Sequence, residues 1–205
     1  LSLLITASVG LVMGLINGFI VTRFNVHSII VTLGTLSLYR GLVFIVSGGR
    51  QIDRNDIPEH VVSFSQTSFL FSIPAILIFS AIIVIITYLV MRHSVLGREI
   101  YATGSNPVAA HLKGINVTKV TLFCFGVCGM LAGIAGLFYA SRFGYVNPGV
   151  TGVGIEFIVI AGVIIGGTSI TGGSGSVLGT FLGILLLGII NVGLPVLNIP
   201  GEFQK

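Results

Sequence analysis

The stretch KVTLFCFGVCGMLAGIAGLFYAS, residues 119–141, holds no charged side chain after Lys119. A hydrocarbon layer about 30 Å thick is crossed by roughly 20 apolar residues in a helix, so this run predicts a transmembrane helix. Runs of the same kind occupy 1–21, 28–47, 69–91, 155–172 and 176–197. Together they predict an all-α, polytopic transmembrane helical bundle with six spans, read as a single transmembrane domain over 1–205. A β-barrel would alternate apolar and polar residues in short strands, and continuous apolar runs exclude it.

Composition agrees. Hydrophobic residues make up 54% of the chain and charged ones 8%, with a mean hydropathy of +1.08. No water-soluble core could hide that much apolar surface, so the solvent is lipid. A formal net charge of +4 is small and scattered, which excludes nucleic acid as a partner and leaves the cations as topology signals. Segment 92–118 with Lys119 carries Arg92, Arg98, Lys113 and Lys119, whereas 48–68 mixes Arg50 and Arg54 with Asp53, Asp56 and Glu59. That bias puts 92–118 inside and 48–68 outside. Cys124 and Cys128 sit four apart on an apolar run, where burial as small hydrophobes is expected. Leu1 lies within an apolar run and Lys205 closes a polar stub, so both ends read as cut from a longer membrane protein.

The polar inner segment is the candidate site. Asn106 and Pro107 form an N-cap and first-turn signal, Val108, Ala109, Ala110 and Leu112 follow, and Gly114 stops the helix. A short helix of this kind, small and apolar on one face, can dock into a groove on a soluble domain and transmit its motion. The alternative is an ordinary amphipathic connector. Glycines at four-residue spacing (10, 14 and 18; 129 and 133; 162 and 166; 175, 179 and 183) predict close helix packing. GGTSITGGSGS (166–176) predicts a turn at the inner face, with unwinding beside a transport path as the other reading. Pro74 is expected in the first turns of the third span, and 48–68 as an irregular connector or one short surface helix.

Two ionisable side chains fall inside or at the edge of apolar runs, Arg40 and Glu156. A charge there costs about 2.5–3.5 kcal/mol or more unless it meets water or a partner, so both are candidate pathway or core charges. The competing readings are interfacial snorkelling and a buried Arg40–Glu156 pair that fixes packing. No GxxxxGK[ST] phosphate loop occurs, and His27, His60, His93 and His111 have no metal-ligand spacing. No catalytic set can be assembled. The sequence calls for no metal and no cofactor, and an enzymatic role is not expected.

Three separated segments then occur in order: INGFIVTRFNVHSIIVTLGTLSLYRG (16–41), GREIYATGSNPVAAHLKGI (97–115) and GIEFIVIAGVIIGGTSITGGSGSVLGTFLGILLLGIIN (154–191). They resemble the permease subunits of bacterial ABC importers for ribose, other monosaccharides and autoinducer-2. The resemblance implies a multi-pass inner-membrane permease of about ten spans in full, each of bilayer length, working by alternating access. It implies three partners: cytoplasmic ATPase subunits, a second permease subunit and an extracytoplasmic substrate-binding protein. Asn106, Pro107, Ala109, Ala110, Leu112 and Gly114 match its coupling loop, and Gly34, Thr35, Arg40 and Glu156 match motif positions of its transmembrane core. A ribose-like sugar and autoinducer-2 both remain open as cargo. An ion-coupled secondary carrier with inverted repeats is the alternative function, and it calls for more than one intramembrane acid.

Overall fold

The computed structural model describes residues 1–58, 68–69 and 73–196. Of the 48–68 connector, residues 59–67 lie outside the described residues, as does Lys205. The chain divides into two compact units, one of Leu1–Ile82 with Asn116–Thr151 and one of Ile83–Ile115 with Gly152–Lys205.

In the first unit, α1 (Ser2–Phe24) turns at Asn25, whose φ of 55° is left-handed, into α2 (Ser28–Ser47). A two-residue pair, β1 (Ser68–Phe69) against β2 (Ile73–Pro74), precedes α3 (Ala75–His93). The third span therefore starts at Ala75, and Pro74 stands just ahead of it rather than in its first turns. Proline's missing amide then costs α3 no hydrogen bond. The long α6 (Val117–Phe143) packs along α1.

Glycines decide that packing. A Cβ at Gly10 would stand 3.2 Å from Gly133 Cα, and one at Gly14 would stand 3.1 Å from Gly129 Cα. Lipid gives helices no hydrophobic reason to associate, so backbone contact through small faces has to hold them. Tyr39 of α2 places its hydroxyl 3.2 Å from both the Met13 carbonyl oxygen and Asn17 Oδ1, so its proton is donated to α1 either way. Phe79 of α3 meets Phe138 of α6 edge-on, with ring centroids 4.9 Å apart. Hydroxyls of Thr6, Thr22, Thr32, Thr35 and Thr121 donate to carbonyls one turn back, which removes their cost in lipid. The expected burial of the cysteines is not met within the chain. Cys124 is half-buried, Cys128 exposed, and both are free thiols.

At the end of α6 the 144–151 loop pairs with the start of the 48–58 arm. Ile52 and Val146 exchange backbone hydrogen bonds at 3.0 and 2.9 Å, and Asn147 Nδ2 donates to Gln51 Oε1 at 3.3 Å. A 3-10 turn at Arg54–Asp56 is the regular element seen in that arm, and Arg50 pairs with Asp56 at 3.5 Å on the surface.

The second unit corrects the span count. Five helices (α1, α2, α3, α6 and α8, Val177–Val196) have the length and hydropathy of a membrane span among the described residues. The sixth expected span, 155–172, is instead α7 (Ile155–Ile165), of 11 residues. At a rise of 1.5 Å per residue it is about 16 Å long, half a hydrocarbon layer. Its end is set by Gly166 and by Gly167, which takes φ 80°, a conformation that favours glycine. α7 and α8 pack through glycine: a Cβ on Gly183 would come 2.7 Å from the Gly166 nitrogen, and one on Gly162 would come 2.8 Å from Ile184 Cγ1.

Candidate functional site

The segment between α3 and α6 is more helical than its composition suggests. Ser94 ends α3 and caps α4 (Val95–Ser105), its hydroxyl accepting from the Gly97 amide at 3.0 Å. A Cβ at Gly97 would stand 2.8 Å from Met91 Cα, so the tight reversal from α3 needs a glycine there. Asn106 then closes α4 and opens α5 (Pro107–Leu112), with its Oδ1 accepting from the Ala109 amide at 3.0 Å. Pro107 takes the first helical position, and Gly114 leaves the helix at φ 82°. Asn116 next caps α6 through the Lys119 amide at 3.0 Å. The Asn-Pro start and glycine stop lie where the residue pattern puts them.

The faces of α5 differ from expectation in one respect. Ala110 is buried at 3% exposure, whereas Val108 is 71% and Leu112 81% exposed. Ala110 thus seats α5 on its own chain. The surface available to another molecule is the Val108–Leu112 pair, one turn apart on one side of the helix, with Asn106, Pro107 and Ala109 exposed beside it.

α4 was not anticipated, nor was what it carries. The Gly-rich stretch after α7 lies on it: a Cβ at Gly104 would be 2.6 Å from the Gly173 nitrogen, and one at Gly173 would be 2.6 Å from Ser105 Cα. Tyr101 donates its hydroxyl to the Gly175 carbonyl at 2.9 Å. Residues 166–176 are therefore a non-helical connection folded onto α4, and they return the chain to the level where α8 begins. The available signal was Ser94 as N-cap, followed by Leu96, Ile100 and Thr103 at helical spacing.

Arg40 is half-buried on α2 directly after Tyr39. Glu156 is half-buried in the first turn of α7, where a carboxylate is favoured by the helix dipole. Arg40 belongs to the first unit and Glu156 to the second. Gly34 and Thr35 lie on α2. No side chain would obstruct a Cβ at Gly34 within 4 Å, and Thr35 donates back to the Val31 carbonyl at 2.9 Å.

A family model described as branched-chain amino acid transport system / permease component matches residues 1–205, the whole chain. The chain belongs to this permease family. The chain is 36% identical over 198 residues to the ribose import permease protein RbsC of Haemophilus influenzae, covering 96% of this chain and 61% of that protein. It is 37% identical over 199 residues to the autoinducer 2 import system permease protein LsrC of Yersinia pseudotuberculosis, covering 97% and 56%. To the LsrC protein of Yersinia enterocolitica it is 38% identical over 200 residues, covering 98% and 54%. The permease chain thus spans somewhat over half the length of the curated relatives it matches. No solved structure matches it. The family is one of transport components rather than enzymes, and the permease chain is an all-α, multi-pass inner-membrane protein.

Proposed function

We propose that the chain is the membrane-spanning part of an ATP-driven ABC importer that carries a monosaccharide or furanosyl signal inward, a ribose-like sugar or autoinducer-2. The relatives' names support this reading, since ribose and autoinducer-2 permeases match along nearly all of the chain at similar identity. The partners that go with it are a pair of cytoplasmic ATPases, a second permease subunit and an extracytoplasmic binding protein.

The observation that carries the mechanism is the capped α5, which buries Ala110 inward and holds Val108 and Leu112 out. An ATPase groove closing over that pair would push on α5. Because α4 carries both α5 and the Gly-rich connection to α8, the push would reach α8 through backbone contacts rather than flexible side chains. In this role Asn106, Pro107 and Gly114 fix the ends of the lever, Ala110 anchors it, and Ala109 and Leu112 face the partner. Arg40 and Glu156 serve transport or assembly in the transmembrane part rather than recognition of the binding protein.

Single cysteines at 108 and 112, in a background lacking Cys124 and Cys128, test the assignment. Crosslinks to a copurifying ATPase from both positions are expected. Crosslinks from the 48–58 arm with none from α5 would overturn it and the orientation with it.

A further inference from the structure

At the polar end of α3 the second unit contains a cleft of about 420 Å³ bounded by Tyr88, Met91, Arg92, Arg98, Tyr101, Ser176 and Val177. Three elements meet there: the last turns of α3, the first two turns of α4 and the start of α8. Arg92 lies over the Tyr88 ring, 5.6 Å from its centroid, and hydrogen-bonds the Tyr88 hydroxyl. Arg98 brings a second guanidinium to the same cleft. Among the described residues of this unit no carboxylate lines it and neither arginine is in an ion pair. Glu99 follows Arg98 on α4, and adjacent helical residues do not face each other.

Both guanidinium groups border the one cleft, where their like charges favour a bound anion. The start of α8 adds the positive end of a 20-residue helix. Ser176 takes the Gly179 amide, which leaves the earlier amides of that end without an intrahelical partner. The cleft is therefore shaped for an anion. Of its remaining walls, Met91 and Val177 are apolar and Tyr101 donates its hydroxyl to the Gly175 carbonyl; the cleft opens where α3 passes from apolar residues to Arg92 and His93. A site cationic at one side and oily at the other, at the depth of the bilayer interface, matches a lipid headgroup with its first acyl carbons. We propose that this cleft binds the phosphodiester headgroup of an anionic phospholipid, and that the bound lipid ties the end of α3 to α4 and to the start of α8. The inference concerns the membrane around the permease and does not depend on which solute is carried.

The test titrates the intact, delipidated permease with phosphatidylglycerol, phosphatidylcholine or inorganic phosphate, and reads bound lipid by native mass spectrometry. Phosphatidylglycerol is expected to bind in preference to phosphatidylcholine. R92Q/R98Q should weaken it about tenfold or more, and R92K/R98K, which keeps both charges, should stay within about threefold. R50Q/R54Q, remote in sequence, should change nothing. On the unmodified protein, phosphatidylglycerol with a photoreactive headgroup should label residues 88–101, so the proposal stays testable even if the double variant folds poorly. Undiminished binding by R92Q/R98Q, equal binding of phosphatidylcholine, or labelling confined to other segments would overturn it. So would full displacement by equimolar inorganic phosphate, which would mark a free-anion site. Loss of ATPase binding by R92Q/R98Q in lipid-free detergent, with lipid binding intact, would hand the arginines to the protein partner instead.

Discussion

Gly10 and Gly129 stand backbone against backbone: a Cβ on either would run into the carbonyl oxygen of the other. The relation is reciprocal, so neither helix can retreat to make room without breaking the contacts of the glycine next to it, Gly14 or Gly133. Gly129→Ala is expected to lower the stability of the first unit by roughly 1–3 kcal/mol, the range for overpacking, and Gly129→Leu to prevent its assembly. Gly34→Ala, where a Cβ meets nothing within 4 Å, should be neutral or slightly stabilising, since alanine is the better helix former. Thermal unfolding of the purified protein in detergent measures all three, and equal loss at Gly34 and Gly129 would contradict the packing described.

On α5, Leu112→Asp and Val108→Asp should preserve membrane insertion and expression while reducing substrate-stimulated ATP hydrolysis about tenfold, the effect of some 1.4 kcal/mol. Ala110→Glu acts differently, because Ala110 is buried against its own chain. It should lower protein stability as well as hydrolysis, and Ala110→Ser should be mild in both. Hydrolysis and thermal stability measured on the same preparations separate the two classes of change.

Tyr101→Phe removes the hydrogen bond to the Gly175 carbonyl and should cost about 0.5–1.5 kcal/mol. Gly104→Val places a branched side chain where Gly172 and Gly173 now lie and should release the Gly-rich connection from α4. Hydrogen exchange over 168–176 is the readout, with faster exchange expected in both and the larger gain in Gly104→Val.

Arg40→Glu and Glu156→Arg should each depress uptake, since isolated charges at membrane depth require water or a partner. Recovery in the double reversal would identify a direct pair. Wild-type uptake and expression in both single variants would remove either residue from the mechanism.

What could be read from residues alone follows a physical division. Helix ends governed by local chemistry were legible: Asn106 and Pro107 at the start of α5, Gly114 at its stop, and the apolar lengths of α1, α2 and α6. Tertiary decisions were not. That Ala110 faces inward while Val108 and Leu112 face outward depends on how α5 sits against α4, and no spacing within six residues encodes it. α4 was hidden because Gly97 and Gly104 lower helix propensity, whereas both are there to admit a neighbouring backbone. The overlong reading of 155–172 had the opposite cause. Glycine and threonine are neutral enough to extend an apolar window, yet Gly167 at φ 80° terminates the helix inside it.

The shortness of α7 also bears on how the protein is made. At 11 residues α7 is too short to settle across a hydrocarbon layer unaided. The contacts that hold it, Gly162 and Gly166 against Gly179 and Gly183, lie up to 21 residues further along. α7 is therefore expected to gain a lasting place only once α8 has been synthesised, the two inserting as a hairpin. The Gly-rich turn between them finds α4 already finished and waiting.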